Sequence, residues 1–179
     1  MSLTLKSSES RKIMKKIIVG LIITGCLFVV ECKEQTKNSI NDRVIGIGKM
    51  PAVSIDHRDN FHIVYGSCDS ILYSSSNDNG ESFSAPSLVD VLPELSASAM
   101  RGPQIASITN GIVIIACNKS GNIFSYIKDS SGYWSRPVKV NDIDTVAKEQ
   151  FIALSADGNH AFAAWLDLRG NKRNKIAGA

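Results

Sequence analysis

The sequence has few aromatic residues (7%) and only 5 prolines among its 179 residues. Its 4 cysteines form no C-x-x-C pair, so the usual signature of a zinc site or a disulfide scaffold is missing. No apolar run reaches the roughly 20 residues of a membrane-spanning helix. Residues 46–179 also lack a sustained helical period. At 44% hydrophobic and 21% charged residues, the chain still has the composition of a globular protein.

Charge is distributed unevenly along the chain. The formal net charge is +3, but residues 1–40 and 166–179 are basic, whereas residues 41–165 carry 9 basic and 13 acidic side chains. The central body is therefore mildly acidic. This balance argues against a nucleic-acid partner.

The first part of the chain resembles a bacterial export signal. Residues 14–30 place Lys15 and Lys16 before a short apolar run, and Ile23-Thr24-Gly25-Cys26 has the order of a lipobox. We expect residues 1–26 to be a signal segment and Cys26 to be lipid-modified. Residues 27–45 would be a polar tether, and the product would be an exported lipoprotein, periplasmic or at the cell surface. The alternative is a short anchor that is not cleaved.

The remainder alternates short runs of Val, Ile and aromatic residues with clusters of Gly, Asn, Asp and Ser, which predicts β-strands. These segments repeat: Phe83-Ser84-Ala85-Pro86 corresponds to Trp134-Ser135-Arg136-Pro137, 51 residues later. A period of this length predicts an all-β fold, a partial β-propeller of about two and a half four-stranded blades. A β-sandwich is the alternative. Only Leu92–Met100 is a plausible helical turn.

One turn has a distinctive pattern, Ser-x-Asp-x-Gly-x-x-aromatic, formed by Ser76, Asp78, Gly80 and Phe83. The Ser and Asp side chains can accept hydrogen bonds from backbone N–H groups of the turn. Gly80 permits a positive φ angle. Phe83 is expected to begin the next strand. A second, degenerate copy occupies residues 129–134.

This pattern resembles the Asp-box of the sialidase-like (BNR repeat) propellers. The Trp165-Leu166-Asp167-Leu168-Arg169-Gly170 stretch is similar to a W-x-D-x-R-x-G segment common in that family. The resemblance implies an incomplete sialidase-like propeller over residues 46–179. In the family an Asp-box is structural and lies away from the active centre. Non-catalytic propellers carry it as well as secreted and membrane-tethered sialidases.

For an active sialidase, the resemblance implies three arginines that clamp a carboxylate, an acid/base aspartate, and a tyrosine nucleophile activated by a glutamate. Arg101 lies in the nearest match to the first arginine motif, although Gly102 replaces the expected isoleucine. Asp167 and Arg169 follow a strand end and are further substrate-binding candidates. The alternatives are a loop residue for Arg101 and a structural turn pair for the other two. The tyrosines all lie where burial explains them, so catalytic residues stay unknown. They are Tyr65, Tyr73, Tyr126 and Tyr133.

The sequence thus predicts an exported protein that acts on or recognises cell-surface glycans, with sialoside hydrolysis if the full propeller is present. The alternatives are a non-catalytic module for glycan or protein binding, or an inactive truncated product. We expect a membrane partner through the lipid, and self-association if the chain is complete. No cofactor or metal is expected: His57 and His62 form only a weak candidate pair, and a Cys68–Cys117 disulfide is an open option.

Overall fold

The computed structural model describes residues 43–170 and 175–179. The predicted signal segment, Cys26 and most of the predicted tether lie outside the described residues. The described chain forms eleven β-strands: β1 (Lys49–Ile55), β2 (Phe61–Ser67), β3 (Ser70–Ser76), β4 (Ser87–Val91), β5 (Gln104–Ile108), β6 (Gly111–Cys117), β7 (Ile123–Asp129), β8 (Val138–Lys139), β9 (Ile152–Asp157), β10 (His160–Asp167) and β11 (Lys175–Gly178).

The strands form three antiparallel sheets in which each strand pairs with the next along the chain. The first sheet has the order β1-β2-β3-β4, the second β5-β6-β7-β8, and the third β9-β10-β11. Strands in the described ranges are therefore connected as up-and-down meanders, and the predicted all-β class is confirmed. No helix within those ranges is long and apolar enough to cross a membrane.

Two local expectations were wrong. Residues 92–100 form turns instead of a helical turn, because their backbone pairs with the next sheet: Leu95 bridges to Asn118, and the Ser96 N–H donates to the Cys117 carbonyl at 2.9 Å. Phe83 does not begin a strand, since β4 starts at Ser87. It lies half-buried in the β3–β4 loop.

The second sheet is covered on both faces. Ile112 and Ile114 of β6 pack in one apolar cluster with Val64 and Tyr73 of the first sheet. Ile115 and Cys117, which point to the other face, pack in a second cluster with Trp165 of the third sheet. This explains why β6 is almost continuously apolar and buried. Full burial of an isoleucine contributes about 1.5–3 kcal/mol, so this strand is a main source of stability.

The first strands of successive sheets lie side by side. Ser54 Oγ in β1 is 2.8 Å from Ser107 Oγ in β5, and the Ser107 N–H donates to Ser54 Oγ at 3.0 Å. The Thr109 N–H, just after β5, donates to the carbonyl of Gly158 in the β9–β10 turn at 2.8 Å. These bonds fix the three sheets relative to one another.

The meander topology gives the described chain two distinct ends. The turn end comprises residues 56–60, 109–110 and 158–159, together with the loops at 77–86 and 130–137. The connection end comprises the β2–β3 and β6–β7 turns and the two sheet-to-sheet connections, residues 92–103 and 140–151. Each connection hydrogen-bonds to the next sheet: Lys119 N–H donates to Glu94, and Leu168 N–H to Val146.

Candidate functional site

A cleft of about 440 Å³ opens at the connection end beside the third sheet. The end of β10 supplies its polar wall, and the connection after β8 supplies the facing carboxylate. Lys175 and the last strand, β11, form the opposite wall. Its lining residues are Val140, Asp142, Trp165, Asp167, Arg169, Lys175, Ile176, Ala177, Gly178 and Ala179.

An arginine held by two aspartates forms the centre of this wall. Arg169 donates from Nη1 and Nη2 to the two carboxylate oxygens of Asp142, at 3.0 and 2.5 Å. It also donates from Nε and Nη2 to the two oxygens of Asp167, at 3.0 and 2.9 Å. The paired geometry with each carboxylate is the strongest arrangement available to a guanidinium.

Asp167 is fully buried although it is an acid. Besides Arg169 it accepts hydrogen bonds from the indole Nε1–H of Trp165 at 3.0 Å and from the Arg169 backbone N–H at 2.8 Å. The Arg169 hydrogen bonds hold the pKa of Asp167 and the pKa of Asp142 below their ordinary values. The same carboxylates raise the pKa of Arg169. All three groups are therefore charged at neutral pH.

This arrangement differs from a free carboxylate clamp. Each nitrogen of the Arg169 guanidinium already donates to an aspartate, and the three groups together carry a formal charge of −1. The Asp142 side chain is 67% exposed and presents acceptor oxygens next to the Arg169 N–H edge. Neighbouring acceptors and donors of this kind match vicinal hydroxyl groups better than they match a second anion.

Arg101 lies elsewhere and makes different contacts. Its Nε donates to the Glu149 carbonyl at 2.6 Å, and its guanidinium stacks 4.5 Å from the centre of the Phe151 ring. Within the described ranges, no hydrogen bond or ion pair joins Arg101 to Asp167 or Arg169. These contacts tie the first connection to the second.

Burial was expected at all four tyrosine positions, and it is confirmed at three of them. Tyr65, Tyr73 and Tyr126 are buried, but Tyr133 is 79% exposed. Trp134 takes the packing position instead, with its ring 5.3 Å from that of Tyr73 in an edge-on contact. In the part of the chain that the structure covers, no tyrosine hydroxyl is hydrogen-bonded to a glutamate.

The turn at residues 76–83 contains the hydrogen bonds expected of its residue types. Ser76 Oγ accepts from the Gly80 N–H at 2.9 Å, and Asp78 Oδ1 accepts from the Ser82 N–H at 2.9 Å. Gly80 has a φ of 85°. The hydrogen bonds from Ser82 and Ser76 lower the pKa of Asp78 to about 2. The corresponding loop of the second sheet, closed by the Ser135 N–H bond to Ile127, is one residue shorter.

A hydrogen-bonded chain that no sequence motif indicates lies at the turn end. His62 is buried, and its Nδ1 lies 2.7 Å from the Tyr73 hydroxyl while its Nε2 lies 3.3 Å from Asp56 Oδ2. The carboxylate accepts, so Nε2 carries the proton and Nδ1 accepts from Tyr73. Burial lowers the pKa of His62 despite Asp56, which keeps the ring neutral. The sequence places His62 within a strand of mostly apolar residues and gives no signal for either hydrogen-bond partner.

The described residues also bear on the candidate metal and cysteine sites. No group of three or more His, Cys, Asp or Glu side chains suited to a metal occurs among the described residues. Cys68 is exposed and Cys117 buried, and both are free thiols. Burial raises the pKa of Cys117 to about 12, so this thiol is unreactive.

No protein-family model matches the chain, and no curated protein matches it.

Proposed function

We propose that this chain belongs to an exported, sialidase-like propeller protein that recognises saccharides at the cell surface. The observation that carries the proposal is the Asp142–Arg169–Asp167 network, which lines a cleft of about 440 Å³ at the connection end. A cleft of that volume accommodates one or two sugar rings. Export and lipid attachment rest on the residue pattern at 14–30 and on Cys26.

The propeller proposal is supported by the repeated meanders and their stacking. Two consecutive four-stranded meanders and a third of three described strands are joined by equivalent connections, and their first strands are adjacent. Strands of the first and third sheets leave large apolar side chains exposed, including Val53, Phe162 and Ile176, whereas β6 is covered. Further blades or a second copy of the chain would cover such surfaces.

The contacts of Arg169, Arg101 and the tyrosines favour saccharide recognition over hydrolysis. A sialidase needs arginines free to bind the substrate carboxylate, but the Arg169 guanidinium already binds two aspartates. Arg101 is bonded to the Glu149 backbone. The described tyrosines lack the glutamate contact that would activate a nucleophile. A hydroxyl-rich sugar can bind the Asp142–Arg169 edge without displacing either ion pair.

The proposal is tested by titrating the full chain with a panel of neutral and acidic oligosaccharides in a calorimeter. We expect saturable binding that Asp142→Asn weakens about tenfold, because a charge-assisted acceptor for a sugar hydroxyl is lost. Asp144→Asn is the matched control, since Asp144 is exposed nearby and bonds only to Lys139 among the described side chains.

Equal weakening by both variants would show a general charge effect and would contradict assignment of the sugar to this cleft. Circular dichroism of both variants checks that the fold is retained. Asp142 is exposed at the surface, so its replacement leaves the apolar core intact.

A further inference from the structure

A second cleft, of about 320 Å³, lies at the turn end between the first and second sheets. We call it the turn-end cleft. Residues 56–58, His62 and Tyr73 line it from the first sheet, and residues 108–112 and 128–130 line it from the second. It is at the opposite end of the strands from the Asp142–Arg169 cleft, so its chemistry is independent of the proposed function.

The acidic groups of the turn-end cleft are already engaged. The Asp56 carboxylate accepts from the backbone N–H groups of Arg58 and Asn60 at 2.8 and 3.0 Å, and from Asn60 Nδ2 at 2.9 Å. It also accepts from His62. Asp129 Oδ1 accepts from the Ser131 N–H at 2.8 Å and from the Ser131 hydroxyl. Most of their acceptor capacity is therefore used within the protein, although Asp129 Oδ2 makes no hydrogen bond among the described residues.

The donors of this cleft are not engaged in the same way. Lys128 is half-buried, and its Nζ lies 4.5 Å from the centre of the Tyr73 ring and 5.5 Å from that of Trp134. Among the described residues it donates no hydrogen bond and forms no ion pair. In the same part of the chain, the side chains of Arg58, Thr109 and Asn110 make no hydrogen bond. The cleft therefore contains two cationic and two neutral polar side chains that have no hydrogen-bond partner in the described part of the chain.

The aromatic wall beside Lys128 is cross-linked by hydrogen bonds and by ring packing. Tyr73 donates to His62 at 2.7 Å, His62 is tied to Asp56, and the Trp134 ring packs edge-on against Tyr73. The ammonium thus lies over aromatic faces, which stabilise a cation but do not satisfy its N–H groups. Burial lowers the pKa of Lys128, as expected for an ammonium that has lost water without gaining a carboxylate.

We propose that the turn-end cleft binds the anionic oxygen group, carboxylate or sulfate, of a small acidic ligand no larger than a monosaccharide. Lys128 forms the ion pair, and Arg58, Thr109 and Asn110 donate to the remaining oxygens. The ligand offsets the cost of an unpartnered, half-buried charge. The cleft volume lies at the lower limit of small-molecule sites, which sets the size of the ligand.

The test is amide NMR of the isotope-labelled full chain in detergent micelles at constant ionic strength. The probes are sodium acetate, sodium sulfate and sodium glucuronate, with sodium chloride and glucose as references. We expect saturable shifts with at least one of the three anions, confined to the residues that line the cleft, at positions 56–58, 62, 73, 108–112 and 128–130. Shifts with acetate and glucuronate but not with sulfate identify a carboxylate ligand, and shifts with sulfate alone identify a sulfated one. Equal shifts with chloride or glucose, shifts elsewhere, or no shifts with any of the three anions would overturn the proposal.

Variants of one lysine provide a second test. Lys128→Met keeps the apolar stem and is expected to weaken binding of the responding anion at least tenfold, whereas Lys128→Arg retains it. Lys119→Met is the matched control, because Lys119 is a lysine at the opposite end of the sheets. Unchanged affinity in Lys128→Met, or the same loss in Lys119→Met, would contradict the assignment. The shift map of the unsubstituted protein decides the question even if Lys128→Met fails to fold.

Discussion

Asp78 and Asp167 illustrate how single aspartates organise this protein. Each lies at or just after the end of a strand, and its carboxylate accepts a hydrogen bond from a backbone N–H a few residues later. The donor is Ser82 for Asp78 and Arg169 for Asp167. The hydrogen bonds favour the ionised carboxylate and lower the pKa of both groups. The aspartates therefore stabilise the native turns only while they are ionised.

Acid should remove the contribution of ionised Asp78 to stability in a defined pH range. The folded pKa of Asp78 is about 2, below its ordinary value of 3.8. Its contribution is thus fully present above pH 3.8 and lost as the pH falls through about 2. We expect Asp78→Asn to lower the melting temperature by a few degrees near neutral pH. The difference from the unsubstituted protein should narrow on acidification. Thermal melts followed by circular dichroism measure this.

The control for that experiment is Asp69→Asn, an exposed turn aspartate whose side chain makes no hydrogen bond among the described residues. Its melting temperature should follow that of the unsubstituted protein at every pH. A difference for Asp78→Asn that stays constant throughout acidification would show that the shifted ionisation of Asp78 does not contribute to stability.

At the scale of elements, the sheets are joined by backbone contacts at tight turns. Gly121, in the β6–β7 turn, has a φ of 88°, and its carbonyl accepts from the Ala147 N–H of the second connection at 3.1 Å. A Cβ at this position would lie 2.7 Å from the Lys148 nitrogen. The close approach of turn and connection therefore requires glycine.

Gly121→Ala and Gly132→Ala form a matched pair that separates backbone strain from steric contact. Gly132 has a φ of 85°, but no atom lies within 4 Å of the point that an alanine Cβ would occupy. Gly132→Ala should cost about 1 kcal/mol of unfolding free energy for the left-handed conformation alone. Gly121→Ala should cost about 3 kcal/mol, because the connection must also move. Urea denaturation measures both. Equal losses would contradict the close packing of the second connection.

Sequence reasoning succeeded where the determinants are local. Short runs of Val, Ile and aromatic residues predicted strands such as β2 and β6, and the Ser76–Gly80 turn follows from its own side chains. It failed where contacts between residues far apart in the sequence determine the local structure. Arg169 binds Asp142, which lies 27 positions earlier in the sequence. Residues 92–100 pair with the end of β6 instead of forming a helical turn. Tyr133 is exposed because Trp134, one residue later, packs on Tyr73.

At the scale of the whole described chain, the two ends differ in chemistry. The connection end presents an arginine already neutralised by aspartates, which suits hydroxyl groups. The turn end presents an ammonium without a carboxylate partner among the described residues, which suits an anion. The stacked sheets hold both clefts in place through two apolar clusters, one on each face of β6. A ligand at one end therefore leaves the other end free.

The most direct test of the proposed function is saturation-transfer NMR of the full chain mixed with a sialylated oligosaccharide. The same spectra report binding, through transfer to the sugar protons, and hydrolysis, through signals of free sialic acid. We predict saturation transfer that Asp142→Asn reduces, with no release of sialic acid. Release that is abolished by Arg101→Ala would contradict recognition without hydrolysis. The absence of transfer across a panel of neutral and acidic oligosaccharides would contradict saccharide recognition itself.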